Sequence, residues 1–439
     1  MCIRDRQGRR EKSCVVERGR EVKVLGINTS HEASICQMTD GKLDWFQEEA
    51  RWRRDKYYTP PVVYPGDPYR DIVARTAQDN WKSIEWVNET QEKDWDEVGF
   101  ASYDRRIYDW EYEPANYLAD RAFFEDLRGF IKAEPLSRDR WEEASNKYLI
   151  PTDEGDQKVM RLMERVIDPE IVYGEENDFD HCGDDLDICT NEPIANQLGI
   201  EKFDFLQNEH HLFHALCGLY FSPFEDALAI VCDGGGSQFL YELYPQYQEI
   251  ESIYYLSKQD IEPLYKHLSN ARLLSDRIGC WDNQYFAHDQ IFGMDDLCNF
   301  DVDLSSKQSE GMKFSTLSHC LGFDDHGRAA GKVMGMASYG LDYNVNNGDM
   351  YQKGSLCGML QQNTIGHTAK LIQRALDYKP ECNRIILTGG YALNCVANFE
   401  YLKLFPNVEF FIDPCPHDGG TAIGSCVKNT FYQDKEYSV

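Results

Sequence analysis

Val22-Lys-Val-Leu-Gly-Ile-Asn-Thr-Ser-His-Glu-Ala-Ser-Ile-Cys-Gln-Met38 opens the folded part of the chain and sets its class. Val22–Ile27 reads as a buried strand, Asn28–Ser34 as a polar turn, and Ile35–Met38 as a returning strand. Asp40-Gly41 is a strong hairpin signal, and Leu43–Glu48 supplies a third strand. From residue 226 the same grammar returns. Asp226–Cys232 is a strand, Asp233-Gly-Gly-Gly236 a turn and Gln238–Leu243 a strand, followed by Ile250–Leu256. Each stretch starts with a buried strand, turns at small and polar residues and returns antiparallel. The expectation is an internally duplicated α/β unit, with a cleft between the halves that the first turn of each half faces. The last third continues as α/β. Arg384–Thr388 is a strand ending in Gly389-Gly390, a helix runs from Ala392 to about Tyr401, Val408–Ile412 is a strand, and Pro416–Thr421 is a loop entering a final helix.

The 439 residues suffice for two or three domains. The formal charge is −30, although the first 23 residues carry eight Lys/Arg against four Asp/Glu. An acidic surface argues against broad nucleic-acid binding, while a locally basic cleft stays open. The 15 cysteines are scattered, several inside apolar runs such as Ala227–Cys232, with no C-x-x-C pair. That usage fits a reducing compartment, so a cytoplasmic location is expected. No apolar run approaches the roughly 18–20 residues of a membrane helix, and the N-terminus lacks a signal-peptide core. Residues 1–21 read as a disordered or non-native leader, a basic targeting arm being the alternative. Residues 22–56 form the first half of the core. Residues 57–200, rich in Trp, Tyr and acidic side chains with pieces such as Trp141–Tyr148, read as a mainly helical insertion that shapes or covers the cleft. Glu175–Asp187 holds seven acidic residues. Without the alternation and closing Glu of an EF-hand, it reads as a solvated loop. Residues 201–426 complete the core, and 427–439 are a tail.

The chemistry concentrates in a few places. His210 and His214 lie four apart in Asn208–Tyr220, so a helix would set both imidazoles on one face, one turn apart. Such a pair suits zinc, iron, copper or nickel; the bland reading is two unrelated histidines. Three glycine turns follow strands: Gly234 and Gly235, then Gly389 and Gly390, then Gly419 and Gly420. Backbone N–H groups there, helped by a following helix, could hold a nucleotide phosphate. Neither a P-loop nor a G-x-G-x-x-G fingerprint is present. Asp233 and Asp418 sit at strand ends, either as turn caps or as carboxylates completing an iron or zinc site with an open position. Lys332, between Gly331 and Gly335, could reach a phosphate from a flexible turn. Arg51, Arg53, Arg54 and Lys56 form the clearest basic cluster of the folded part, a candidate anion site. Trp45 and Phe46 beside it read as core.

Taken together, these stretches resemble the NodU/CmcH-type O-carbamoyltransferases, whose main domain is related to the threonylcarbamoyl-tRNA enzymes. The resemblance rests on Leu25–Ser34, Glu48–Arg51, Glu209–His214, Tyr220–Phe224, Gly331–Gly340, Gly389–Asn398 and His417–Gly424, in the family's order. It implies duplicated RNase-H-like halves of the actin/sugar-kinase/heat-shock superfamily around a nucleotide cleft. It implies a metal, usually iron as Fe2+ with zinc or another divalent ion as the alternative, on His210, His214 and Asp418 with Asp233 nearby. Gly234, Gly235, Gly389, Gly390, Asn394, Asn398 and Gly419 would hold the nucleotide. Lys332 would face phosphate or carbamoyl oxygens, and His31 and Arg51 would line the carbamoyl or acceptor side.

In that family ATP and carbamoyl phosphate give carbamoyl-adenylate, whose carbamoyl group moves to an acceptor hydroxyl. A carbamoyl group is a poor electrophile because nitrogen donates into its carbonyl; a mixed anhydride with AMP supplies a good leaving group. A metal and cationic side chains would stabilise the charge that grows on oxygen. His31 or His211 is the candidate to take the acceptor's proton. Two departures stand out. Glu32 replaces the usual Asp, and Ser237-Gln238 stands where a Glu is common. The family's YrdC-like domain, which makes the carbamoyl-adenylate, is not evident after Cys426, so either the chain is a truncated product or a separate YrdC-like protein supplies the intermediate. Candidate acceptors are sugars, natural products and hydroxymethylated pyrimidine nucleotides; a DNA base is disfavoured by the net charge. The alternatives are a threonylcarbamoyl-tRNA synthase subunit and a catalytically incomplete nucleotide-binding module.

Overall fold

A computed structural model describes residues 21–30, 32–54, 81–101, 194–201, 204–206, 209–241, 244–269, 300–305, 309–321, 323, 329–339 and 348–432. The expectations for the leader through residue 20, His31, Lys56, Trp141–Tyr148, Glu175–Asp187 and the tail beyond residue 432 lie outside the described residues.

The first sheet is built from β1 (Lys23–Asn28), β2 (Ser34–Thr39) and β3 (Lys42–Glu48), an antiparallel meander. Asp40 and Gly41 turn the second hairpin at φ 48° and 78°, the pair of positive values that a two-residue turn of matching twist needs. After helices α1 (Glu49–Arg53) and α2 (Lys82–Thr90), β4 (Glu97–Ala101) joins β1 in parallel and β5 (Asp204–Leu206) joins β4 in parallel. Helix α3 (His210–Phe221) then leads into the second sheet: β6 (Asp226–Cys232), β7 (Gln238–Tyr241), β8 (Tyr244–Ser257), β9 (Ile261–Ser269) and β10 (Asp301–Ser305). Helices α4 (Glu310–Cys320), α5 (Ala330–Ala337) and α6 (Gly348–Tyr378) precede β11 (Arg384–Thr388). Helix α7 (Cys395–Leu404), β12 (Glu409–Ile412) and α8 (Thr421–Phe431) follow.

The protein is thus α/β with two mixed sheets, and five strands of each sheet run in the same order. The first reads β3-β2-β1-β4-β5, and the second contains β9-β8-β6-β11-β12. Directions match as well: the first three strands of each set are antiparallel neighbours, and the last two add in parallel.

Two expectations change. Gln238–Leu243 does not return along β6; β8 does, and β7 is a short strand paired to the start of β8. The reason lies in burial: β8 sends Ile253 to one core and Tyr254 and Leu256 to another, as a strand covered on both faces must. Nor is 57–200 wholly an insertion. β4 lies inside it, pairs with β1 and buries Val98 and Phe100, while α2 buries Ile84 and Val87 against the same sheet.

Pleating distributes side chains among three cores. On β6, Leu228, Ile230 and Cys232 face a core with α4, α5, α6 and α7. Ala227, Ala229 and Val231 face the opposite core, where α3 and α8 lie between the two sheets and meet Val24, Cys36 and Met38 of the first. Leu25, Ile27 and Ile35 point to the third core beneath α2. Trp45 packs edge-on to Trp86 with ring centroids 5.3 Å apart, and Phe46 packs against the middle core, so both are core residues. Cys36, Cys217, Cys232, Cys357, Cys382, Cys395, Cys415 and Cys426 are free thiols. Among the described residues no helix is long and apolar enough to cross a membrane.

Candidate metal centre

The ends of β1, β6 and β11 and the loop after β12 converge on the N-terminal turn of α3. This is where open α/β sheets gather ligand-binding groups, at the carboxyl ends of strands. His210 and His214 lie on one face of α3, as their spacing predicts, and both are fully buried. Their Nε2 atoms stand 3.1 Å apart. Asp233 follows β6 and brings Oδ2 to 3.5 Å from His210 Nε2. Asp418 brings Oδ1 to 3.7 Å from the Nε2 of each histidine.

The four donor atoms lie within 4.8 Å of one another, all buried. Ligand atoms held about 2.1 Å from one ion, at angles of about 95–125°, stand roughly 3.1–3.7 Å apart, so the spacing fits a single divalent cation. Two imidazoles and two carboxylates balance its charge and suit iron, zinc or manganese.

Neighbours hold the donors in place, as outer partners of ligand side chains commonly do. The Gly390 N–H donates to Asp233 Oδ1 at 2.9 Å, and the Ser30 hydroxyl lies 2.9 Å from Asp418 Oδ2. The Asn28 amide donates to the Asp418 carbonyl at 3.0 Å, and the Thr388 hydroxyl to the His214 carbonyl at 3.3 Å. Burial pushes the His210 pKa down, but the charge of Asp418 and the bond to Asp233 outweigh it and raise it. Burial pushes the Asp233 carboxyl up, and the His210 bond together with the charges of His214 and His210 outweighs that and holds it well below the usual range. Ser30 and Asn28 belong to the turn read only as polar, and nothing local in the sequence marks their reach to Asp418.

The remaining candidates are placed as follows. Gly389 adopts φ +83°, and a Cβ there would meet the Cys232 carbonyl oxygen at 2.4 Å, so the turn after β11 requires glycine. At Gly234 the nearest atom to an added Cβ is Met312 Sδ at 3.9 Å, which leaves room beside the Asp233–Gly236 turn. Asn394 caps α7 by accepting from the Ala397 N–H, and it exchanges two 3.1 Å bonds with Gln361. The Asn398 amide donates to the Ala392 carbonyl at 2.7 Å. The Asn394 amide is thus engaged at both its oxygen and its nitrogen within the protein. The Gly419 N–H points to His417 Nδ1 at 3.1 Å, and its carbonyl accepts from Ser34.

Lys332 is not on a flexible turn. It lies exposed on α5, and its ammonium donates to the Phe323 carbonyl at 3.1 Å. The Arg51 side chain is 82% exposed and donates to Glu48 Oε2, while Arg53 donates to Glu49, so carboxylates pair these two members of the basic cluster. His211 is on α3 but turned from the four donors. Its Nδ1 lies 2.8 Å from the Ser252 hydroxyl, and burial pushes its pKa down to about 4. Two charged groups were not anticipated at all: Glu32, Glu48, Cys415 and His417 beside the cluster, and Glu251, His267 and His367 behind β6.

No family model matches the chain, and no curated protein matches it. Among solved structures, full-length HypF in its phosphate- and nucleotide-bound form matches with TM-score 0.44 and 10% identity, over 94% of this chain and 56% of that one. HypF of T. kodakarensis matches with TM-score 0.46 and 12% identity, over 94% and 48%. A ROK family glucokinase from Streptomyces griseus, solved with glucose and AMPPNP, matches with TM-score 0.35 and 8% identity, over 92% and 98%. The chain therefore spans about half the length of the two HypF proteins. At these scores the likeness bears no weight for function, which rests on the chain's own residues.

Proposed function

We propose that the chain is an O-carbamoyltransferase of the NodU/CmcH type, moving a carbamoyl group from carbamoyl-adenylate to a hydroxyl. The observation that carries this reading is the meeting of His210, His214, Asp233 and Asp418 in one buried cluster. These residues come from separate stretches, in the order the resemblance implies. The two like-ordered sheets support the reading further. We take them as duplicated RNase-H-like halves of the actin/sugar-kinase/heat-shock superfamily.

Fe2+ held by these four residues would act as a Lewis acid toward phosphate and carbonyl oxygens. The chain's part is to fix the donors: Gly390 anchors Asp233, and Ser30 and Asn28 anchor Asp418. The space beside Gly234 is the proposed seat of the adenylate phosphate, next to Asp233. His31 is the residue proposed to take the acceptor's proton. His211 is poorly suited, being buried and bonded to Ser252. ATP and carbamoyl phosphate enter through a YrdC-like activity that makes the carbamoyl-adenylate. The acceptor is a small sugar, natural product or hydroxymethylated pyrimidine; the charge of −30 disfavours long DNA contacts.

Carbamoyl-adenylate, generated by an added YrdC-like enzyme, is offered to the purified chain with a panel of hydroxyl acceptors. Mass spectrometry should find an acceptor heavier by one carbamoyl group less the hydrogen it replaces. His210→Ala should abolish that product. Unchanged carbamoyl-adenylate across the panel, in protein carrying its metal, would reject the reading.

A further inference from the structure

Beside the four-residue cluster, but sharing no donor with it, lies a second group with a different ligand chemistry. His417 Nε2 is 3.6 Å from Cys415 Sγ and 3.1 Å from Glu48 Oε1. The three donor atoms lie within 4.8 Å of one another. Around a tetrahedral zinc ion, with N, O and S at about 2.0–2.3 Å, nitrogen stands roughly 3.4 Å from oxygen and 3.5 Å from sulfur.

The surroundings follow the same pattern. Glu32 Oε2 lies 3.1 Å from His417 Nδ1, where a ligating histidine usually meets a carboxylate that fixes its tautomer. Arg51 takes the other Glu48 oxygen, Oε2, at 2.7 Å and leaves Oε1 for the histidine side. His417 Nε2 faces both Glu48 Oε1 and Cys415 Sγ, and a single proton on that nitrogen bridges to only one of them. A cation in its place uses all three donors and would hold Cys415 as thiolate.

We infer that Glu48, Cys415 and His417 form a second divalent-cation site, suited to zinc, with one position open to a water or hydroxyl oxygen. Sulfur, nitrogen and oxygen together favour zinc over the harder ions. The Glu48 and His417 side chains are 13% and 19% exposed, so the open position can be reached from solvent. Three protein ligands with a fourth position free is the pattern of reactive rather than purely structural zinc.

The two centres can be told apart because only this one contains sulfur. The full chain is stripped of metal, kept reduced and titrated with Co2+. A thiolate-to-cobalt charge-transfer band is expected with binding of one equivalent beyond that held by His210 and His214. Cys415→Ser should lose the band and that equivalent and keep the other. Glu48→Gln, which preserves size, should weaken the second equivalent at least tenfold with the near-ultraviolet circular dichroism unchanged. The His210→Ala/His214→Ala chain should keep the band; if it does not fold, the comparison of wild type with Cys415→Ser decides alone. Absence of the band in wild type, or an equal band in Cys415→Ser, would overturn the site.

Discussion

Glu251 shows how one buried side chain can shape the response to pH. It lies on β8 opposite Cys232, with Oε2 2.8 Å from His267 Nδ1 and Oε1 2.8 Å from His367 Nε2. His367 also faces Glu310 at 3.9 Å, and Glu310 is paired with Lys313. Burial would push the Glu251 carboxyl up, yet the two histidine bonds outweigh it and hold it well below the usual range. Burial likewise pushes His367 down, and the Glu251 bond together with the charges of Glu251 and Glu310 outweighs it and raises it. The signs follow. A depressed carboxyl contributes stability above its unfolded pKa of about 4.3 and loses it as pH falls. A raised histidine contributes below its unfolded value of about 6.5 and loses it as pH rises through its folded pKa. Glu251→Gln should therefore lower stability most between about pH 4.3 and 6.5, by about 3–5 kcal/mol for a broken buried pair. It should also flatten both limbs of a urea-midpoint profile. Profiles that run parallel at every pH would show that the pair contributes no proton linkage. None of these three residues stood out in the sequence, because their partnership depends on β8, β9 and α6 meeting in space.

At the scale of elements, the candidate metal centre depends on how closely α3 and α8 approach, since α3 carries His210 and His214 and α8 follows Asp418. A Cβ at Gly424 would lie 2.0 Å from the Phe213 carbonyl oxygen, backbone that cannot swing aside. Gly335 on α5 is exposed with nothing within 4 Å. Helix propensity alone favours alanine over glycine by about 1 kcal/mol at either place. Overpacking should reverse the sign at Gly424, so Gly424→Ala should cost about 1–3 kcal/mol and weaken metal binding. Gly335→Ala should be neutral or stabilising in the same urea titration. A stabilised Gly424→Ala chain would mean that the two helices are not in backbone contact. The central strands were legible in the sequence. Asp226–Cys232 and Arg384–Thr388 coincide with β6 and β11, because strands covered on both faces must be apolar throughout. β4 was missed: Glu-Val-Gly-Phe-Ala is short and set among charged residues, and its place beside β1 is a non-local pairing that no local period reveals.

For the whole molecule, the cluster works as a fastener between distant parts of the chain. Ser30 and Asp418 are 388 positions apart and joined by one hydrogen bond, with Ser30 beyond the end of β1 and Asp418 in the loop after β12. The four clustered residues themselves were legible as candidates, since histidines four apart and aspartates at strand ends are local signals. Their anchoring by Ser30, Asn28 and Gly390 was not, because it exists only once the two sheets enclose α3 and α8. A cation bound by such a cluster stabilises the folded state, since the unfolded chain cannot present the same donors together. At a free metal concentration near a thousand times the dissociation constant, the gain is about 4 kcal/mol. For a chain of 439 residues, with an unfolding entropy of roughly 2.1 cal/mol/K per residue, that corresponds to a rise in Tm on the order of 4 °C. Chelation should lower the Tm by that amount at a fixed heating rate, and reloading should restore it. Cys415→Ser should retain most of the shift, because it leaves His210, His214, Asp233 and Asp418 intact. His210→Ala in the Cys415→Ser background should show a Tm that no longer responds to chelator or added metal. A wild-type Tm indifferent to chelation would mean that the four buried donors are held by their own ion pairs alone, with His210 carrying the positive charge.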